Sequence, residues 1–181
     1  MSAIESKQRT IYLACDGFGQ DLLNEIKTHL ETKHEGTKVI DLGCDTYYDA
    51  AAKVAKAITN SNTDTNTESE NLGILFCGTG MGVGIIANKF SGIRAATCEN
   101  ATAARCARAI NNSNVLCLGQ LVTKPDVAKT ITSEFLSQGF ISQPNGEDGQ
   151  PVSWWSGDVE TFLASSMEGI SRVEQEAVSK K

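Results

Sequence analysis

Along this chain, short apolar runs alternate with stretches in which apolar residues recur every three or four positions. "TIYLAC" (10–15) is an apolar run of strand length, and "GQDLLNEIKTHLE" (19–31) then sets Leu22, Leu23, Ile26 and Leu30 at helical spacing. The same alternation repeats through the strands "KVIDLG" (38–43), "LGILFC" (72–77), "IRAATC" (93–98) and "NVLCLG" (114–119). The helices between and after them are "DAAAKVAKAI" (49–58), "GVGIIANKF" (82–90), "NATAARCARAI" (100–110) and "KPDVAKTITSEFLS" (124–137), the last opened by Pro125. Five strands alternating with five helices predict an α/β protein: a three-layer αβα sandwich around a parallel, Rossmann-like sheet.

Two stretches break the alternation. "TNSNTDTNTESEN" (59–71) offers nothing to bury and predicts a solvated excursion between the second helix and third strand, because such a composition does not offset its ordering entropy. After residue 139, "GFISQPNGEDGQPVSWWSGD" brings Pro, Gly, Trp154 and Trp155, and an amphipathic helix follows over about 157–175. The expected organisation is one domain over 1–140, with 141–181 as its C-terminal extension of loop plus helix. The two tryptophans fit core or interface anchors better than a sugar platform.

A formal charge of -6 leaves no electrostatic footprint for nucleic acid or an anionic membrane surface, so a small-molecule ligand is the expected partner. "MSAIESKQRT" has no apolar core of a secretory leader, and no segment approaches the ~18 apolar residues of a membrane span, so a cytoplasmic protein is expected. The six cysteines never form a CxxC pair and fit free thiols in a reducing compartment. His29 and His34 have no nearby cysteine, so neither metal nor cofactor is expected.

The chemistry concentrates in "LGILFCGTGMGVGIIANKFSGIRAA" (72–96). Cys77 ends a strand, and Gly78, Gly80, Gly82 and Gly84 follow at every second position. Parallel sheets gather ligands outside the carboxyl ends of their strands, where Cys15, Asp16 and Cys77 are all expected. Glycines let backbone amides approach a ligand closely, so the loop suits an anion or a developing oxyanion, and a thiolate beside such amides is stabilised. The alternative is that Cys77 is a small buried hydrophobe at a strand end. A Walker loop is excluded because Lys89 follows Asn88 rather than glycine; Gly82, Gly84 and Ala87 with Glu99 leave a dinucleotide fingerprint open.

The ordered set "CDGFG" (15–19), "CGTGMGVGIIANKFSGIRAA" (77–96) and "NNSNVLCLG" (111–119) resembles the ribose-5-phosphate isomerase B family, which includes the galactose-6-phosphate isomerase subunits. The likeness spans about 10–140, and the Asp-x-Phe-Gly form and tryptophan-containing tail are most similar to fungal or plant-like branches. It implies a metal-free aldose–ketose isomerase that interconverts ribose 5-phosphate and ribulose 5-phosphate through a cis-enediolate, or a related isomerase for another pentose or tetrose phosphate. A sugar-phosphate or nucleotide-binding protein without turnover is the alternative. The resemblance implies Cys77 as the base, Thr79 near the ring oxygen, and Gly78, Gly80, Gly82 and Gly84 as the amide cradle. It makes Asp16 the hydroxyl-binding and ring-opening carboxylate, Tyr47 an active-site aromatic and Asn111 a sugar-binding amide. Sugar phosphate is the implied ligand, in a homodimer or tetramer with active sites across the interface.

The departures are specific. The family's early Asp-His pair is Asp16-Gly17, its His-Asn-Asp run is Ile110, Asn111, Asn112, and Gln120 stands where an arginine often follows the fifth strand. The family's C-terminal Gly-Gly-Arg-His stretch is replaced by "SQPNGEDGQPVSWW". Lys124 is therefore the candidate phosphate ligand, with Arg94 and Arg108 next; Arg94 also fits a structural ion pair.

Overall fold

The computed structural model describes residues 9–61 and 70–179. Its strands are β1 (Arg9–Cys15), β2 (Thr37–Cys44), β3 (Glu70–Cys77), β4 (Ala95–Thr97) and β5 (Val115–Gly119). Between and after them come α1 (Gln20–Lys33), α2 (Tyr47–Ser61), α3 (Met81–Ala87), α4 (Ala101–Ala109), α5 (Pro125–Ser137) and α6 (Gly157–Ser179). All pairings are parallel, in the order β2-β1-β3-β5-β4.

Strand alternation builds two cores. Ile11, Leu13, Ile74, Phe76, Leu116 and Leu118 face one side, under α1, α5 and α4; Ala14, Leu75, Cys77, Val115 and Cys117 face the other, under α2 and α3. This double burial explains why the central strands are apolar without a break. Phe76 and Phe135 are among the largest fully buried side chains, each worth about 1.5–3 kcal/mol of transfer free energy. The expected αβα sandwich is the observed one.

Several boundaries moved for local reasons. Asn100 caps α4 rather than beginning it, its Oδ1 accepting from the Ala103 amide at 2.8 Å. The fourth strand is shorter than 93–98, and Asn88 pairs its side chain with the Ala95 backbone, accepting from its amide at 2.7 Å and donating to its carbonyl at 2.9 Å. The polar stretch 59–71 is not all excursion: Thr59 to Ser61 complete α2, and Glu70 and Asn71 open β3. Residues 62–69 of that stretch lie outside the described residues. Glu70 is in fact a partner of Arg9 and of Arg108, which is 5% exposed, at the amino edge of the sheet.

The C-terminal segment forms an Asn145–Pro151 bridge and then α6 along the β4 edge. Leu163 is buried there, and Glu174 accepts from Ser91 Oγ at 3.1 Å. Among the described residues, no helix is long and apolar enough to cross a membrane, and no group of three or more His, Cys, Asp or Glu is placed to hold a metal ion.

Candidate active site

The sheet changes direction between β1 and β3: the chain leaves β1 toward β2 on one side and returns to β3 on the other. That leaves a crevice at the carboxyl ends of these strands, the usual place for a ligand in an open α/β sheet. The Asp16 amide donates to the Phe76 carbonyl at 3.0 Å, which sets Asp16 beside Cys77. The half-buried Asp16 carboxylate accepts from the Phe18 amide at 2.9 Å. Gly19 permits this approach, since a Cβ there would lie 2.6 Å from the Phe76 carbonyl carbon.

Cys77 is 5% exposed, and the Gly80 amide donates to its sulfur at 3.0 Å. Its own backbone is held from the β5 side, where the Gln120 amide donates to the Cys77 carbonyl at 3.0 Å and the Leu121 amide to the Gly78 carbonyl at 2.9 Å. Gly80 turns the chain with φ +77°, the left-handed region that favours glycine. Thr79 is exposed, its hydroxyl accepting from the Met81 amide at 3.4 Å. The sulfur thus packs in the apolar cluster of Ala14, Leu75 and Val83 with one backbone amide aimed at it. Burial pushes the Cys98 thiol up to about 12 and also raises that of Cys117. Cys15 is pushed up to about 12, first by burial and then by Cys44. All six cysteines are free.

The remaining predicted residues divide by position. Tyr47 opens α2 and lies against Gly82, where an added Cβ would meet its ring at 3.2 Å. Gly82 and Gly84 lie within α3 rather than in the loop, and Gly84 is buried where a Cβ would meet Thr97 Oγ1 at 3.2 Å and Cys117 Sγ at 3.4 Å. Their smallness lets α3 sit close on its neighbours, so they do not form the strand-to-helix turn of a dinucleotide fingerprint. Lys124 is exposed at the N-cap of α5. Asn111 is not with them. It is exposed just beyond α4, near the amino end of β5, whereas Cys77 pairs with Gly119 at the carboxyl end of that strand.

Neither reserve arginine is free for a ligand at the crevice. Arg108 is buried, paired with Glu70, and donates to the Ser113 carbonyl at 2.7 Å. The Arg94 Nε donates to the Asn112 carbonyl at 2.7 Å, so it braces the 111–114 loop through a carbonyl rather than an ion pair. Arg94 and Asn111 line a cavity of about 670 Å³ with Asn88, Leu163, Ile170 and Glu174.

Two features escaped sequence reasoning. Gln120 Oε1 accepts from the Leu22 amide at 3.0 Å, so a side chain from the β5 loop satisfies an open amide of α1. Phe18 and Leu121, 69% and 71% exposed, flank Gly78 at the mouth of the crevice. A large apolar residue next to a glycine loop was the available signal for this rim.

A doubly covered parallel sheet with a thiol and a carboxylate side by side at its switch point defines a Rossmann-like α/β protein with a small-molecule site. Residues 11–149 match the Ribose/Galactose Isomerase family model, and the chain belongs to that family. It is 34% identical over 173 residues to the DNA damage-repair/toleration protein DRT102 of Arabidopsis thaliana, covering 96% of this chain but 52% of the relative, about half its length. It is 37% identical over 137 residues to D-erythrulose-4-phosphate isomerase of Pectobacterium atrosepticum, covering 72% of this chain and 84% of that one. Among solved structures, ribose-5-phosphate isomerase B from Mycoplasma genitalium with bound ribulose 5-phosphate superposes with a TM-score of 0.73 at 32% identity, over 94% of this chain and 99% of the other.

Proposed function

We propose that the chain is an aldose–ketose isomerase for sugar phosphates of four or five carbons, with Cys77 as the base. The observation that carries this is the Gly80 amide aimed at the Cys77 sulfur, with Asp16 alongside. The thiolate takes the C2 proton of the open aldose; the pair left behind forms the C1–C2 double bond and moves the carbonyl electrons onto O1. A proton then passes from O2 to O1 with the help of Thr79 or Asp16, and the thiol returns its proton to C1 as C2 becomes the carbonyl. Loop amides of Gly78 and Gly80 suit the enediolate oxygen. Family relatives named as ribose-5-phosphate and D-erythrulose-4-phosphate isomerases support this reaction class. Lys124 is the proposed anion ligand, and a thiolate base fits the reducing cytosol. A coupled assay with a panel of aldose phosphates, scored for ketose, tests the proposal; no ketose from any of them rejects it.

The active form is proposed to be a homodimer, or a tetramer built from such dimers, with sites shared between chains. Asn111 lies at the opposite sheet edge from Cys77 of its own chain, so it serves a Cys77 loop only from a neighbouring copy. Phe18, Met81, Ile85, Leu121 and Val122, each more than half exposed around the loop, give an apolar surface for that contact. Mixing inactive Cys77→Ala with inactive Asn111→Ala chains should then restore about one quarter of parent turnover, through the intact site of each mixed two-fold pair. No recovery after subunit exchange places both residues in one chain's site.

A further inference from the structure

β2 is an edge strand, and one extra residue near its carboxyl end decides where its last side chain points. Arg9 to Leu13 of β1 pair in step with Thr37 to Asp41 of β2, after which the register shifts and Cys15 pairs with Cys44. Pairing in step would have set Cys15 against Gly43 and turned Cys44 to the α2 side of the sheet. The bulge at Gly43, whose φ is +84° and whose amide donates to Asp41 Oδ1 at 2.9 Å, brings Cys44 round to the face of Cys15 instead. Beyond it the ladder resumes, the Asp45 amide donating to the Cys15 carbonyl at 3.0 Å.

Two thiols therefore meet across neighbouring strands. Such strands lie about 4.8 Å apart, inside the roughly 4.4–6.8 Å between α-carbons that a disulfide spans. The pair is unequal. Cys15 is fully buried, and burial first, then the facing Cys44 thiol, push it up to about 12, so it stays protonated. Cys44 is exposed and meets whatever is dissolved outside. Cys98 and Cys117, whose strands are also neighbours, are 2% and 0% exposed, so that pair has no member an oxidant reaches first. Among the described residues no third His, Cys, Asp or Glu stands with Cys15 and Cys44 to hold a metal ion, which leaves oxidation as the chemistry the pair offers.

We propose that Cys15 and Cys44 are a hydroperoxide-responsive pair that closes to a disulfide. The Cys44 sulfur attacks the outer oxygen of the peroxide; the O–O bond breaks, the alcohol or water leaves with the thiol proton, and Cys44 is left as a sulfenic acid. The Cys15 sulfur then displaces the hydroxyl from Cys44, and that hydroxyl departs as water with the Cys15 proton. Both sulfurs are oxidised and the peroxide is reduced. Holding the two sulfurs together offsets the poor nucleophilicity of a protonated Cys15. The product staples the edge strand to β1 one residue before Asp16. It also takes the Cys15 thiol from Gln20 Oε1, to which it donates at 3.5 Å at the start of α1. At rest the pair is two thiols, which fits a transient, sensing disulfide rather than a structural one. The site stands independently of the isomerase reading.

The test is peptide mapping of the full chain after treatment with hydrogen peroxide, alkylation with iodoacetamide in denaturant and digestion with trypsin without reductant. Cleavage after lysine and arginine puts Cys15 in 10–27 and Cys44 in 39–53, so the disulfide shows as these two peptides joined. The joined species should carry most of the Cys15 in the treated parent, revert to two alkylated peptides after dithiothreitol, and be absent from Cys44→Ser. In Cys15→Ser, dimedone should instead label Cys44, stranded as its sulfenic acid. Peptides 10–27 and 39–53 left unlinked in the treated parent, or Cys15 joined to another cysteine, overturn the proposal. Dimedone labelling of Cys44 no stronger in Cys15→Ser than in the parent overturns Cys44 as the thiol oxidised first.

Discussion

The backbone amide of Gly80 donates to the sulfur of Cys77 across 3.0 Å, so the loop that covers the thiol also holds it. Removing either partner separates chemistry from folding.

Cys77→Ala should keep the fold and lose turnover by a factor on the order of 10²–10⁴, the usual worth of a positioned general base. Cys98→Ala and Cys117→Ala should cost stability and little else, because both thiols are buried and pushed up. Iodoacetate inactivation, slowed by sugar phosphate, checks the assignment; it is best measured in Cys44→Ser, since Cys44 is exposed and will also be alkylated. Parent-level turnover in Cys77→Ala sinks the role.

Gly80→Ala should lower both Tm and kcat. A left-handed φ costs a residue with a Cβ about 1–2 kcal/mol, and the added carbon would stand 3.0 Å from the Leu118 carbonyl carbon. Relief of either strain pulls the amide from the sulfur. Gly78→Ala is the contrast, since its nearest contact is the flexible Leu121 side chain at 3.3 Å. Equal effects of the two substitutions on kcat would deny the Gly80 amide its role.

Lys124→Ala should raise KM for the phosphorylated sugar about tenfold or more, the worth of a hydrogen bond to a charged group, with a smaller change in kcat. Phosphate binding is remote from the reacting carbons, which is why KM takes the loss. An unchanged KM moves the anion elsewhere.

Glu70→Gln should destabilise the fold by about 3 kcal/mol, because it leaves the Arg108 guanidinium buried without its carboxylate. The site is at the far edge of the sheet, so kcat of the folded enzyme should stay near the parent value. Denaturant midpoints and kcat read the two effects separately.

Stability should also fall as pH drops through about 6.5, the ordinary histidine value. His29 and His34 are both lowered in the folded chain, first by burial, then by Lys129 and Lys33 for His29 and by His29 and Arg9 for His34. The unfolded chain therefore takes up protons first, and the penalty grows until the folded histidines titrate too. Urea midpoints at pH 7.5 and pH 5 should differ less in a His29→Gln, His34→Gln double variant; an undiminished difference assigns the effect to other groups.

What the sequence revealed and what it withheld follow from the range of each interaction. The five βα units were legible because strand-length apolar runs and helical spacing differ in period, as in "LGILFC" against "NEIKTHL". Cys77 at a strand end followed directly from where its run stops. Strand order, by contrast, is decided by contacts between distant residues, and with it the separation of Asn111 from Cys77. Glu70 looked like part of a solvated stretch because its partners, Arg9 and Arg108, lie 61 and 38 positions away. Gln120, seen in sequence as a missing arginine, has a capping duty toward Leu22, 98 positions earlier.

The Cys77 sulfur, the proposed base, belongs to β3, the middle strand, laced by backbone hydrogen bonds to β1 on one side and β5 on the other. The side chains at the mouth, Phe18 and Leu121, belong to the segments that follow β1 and β5 and point into open space. Exchange of rim residues can therefore reshape the mouth of the proposed site while the Cys77 sulfur stays where it is. A selection for new substrates should find its winners at positions 17, 18 and 121, and leave the central strand untouched.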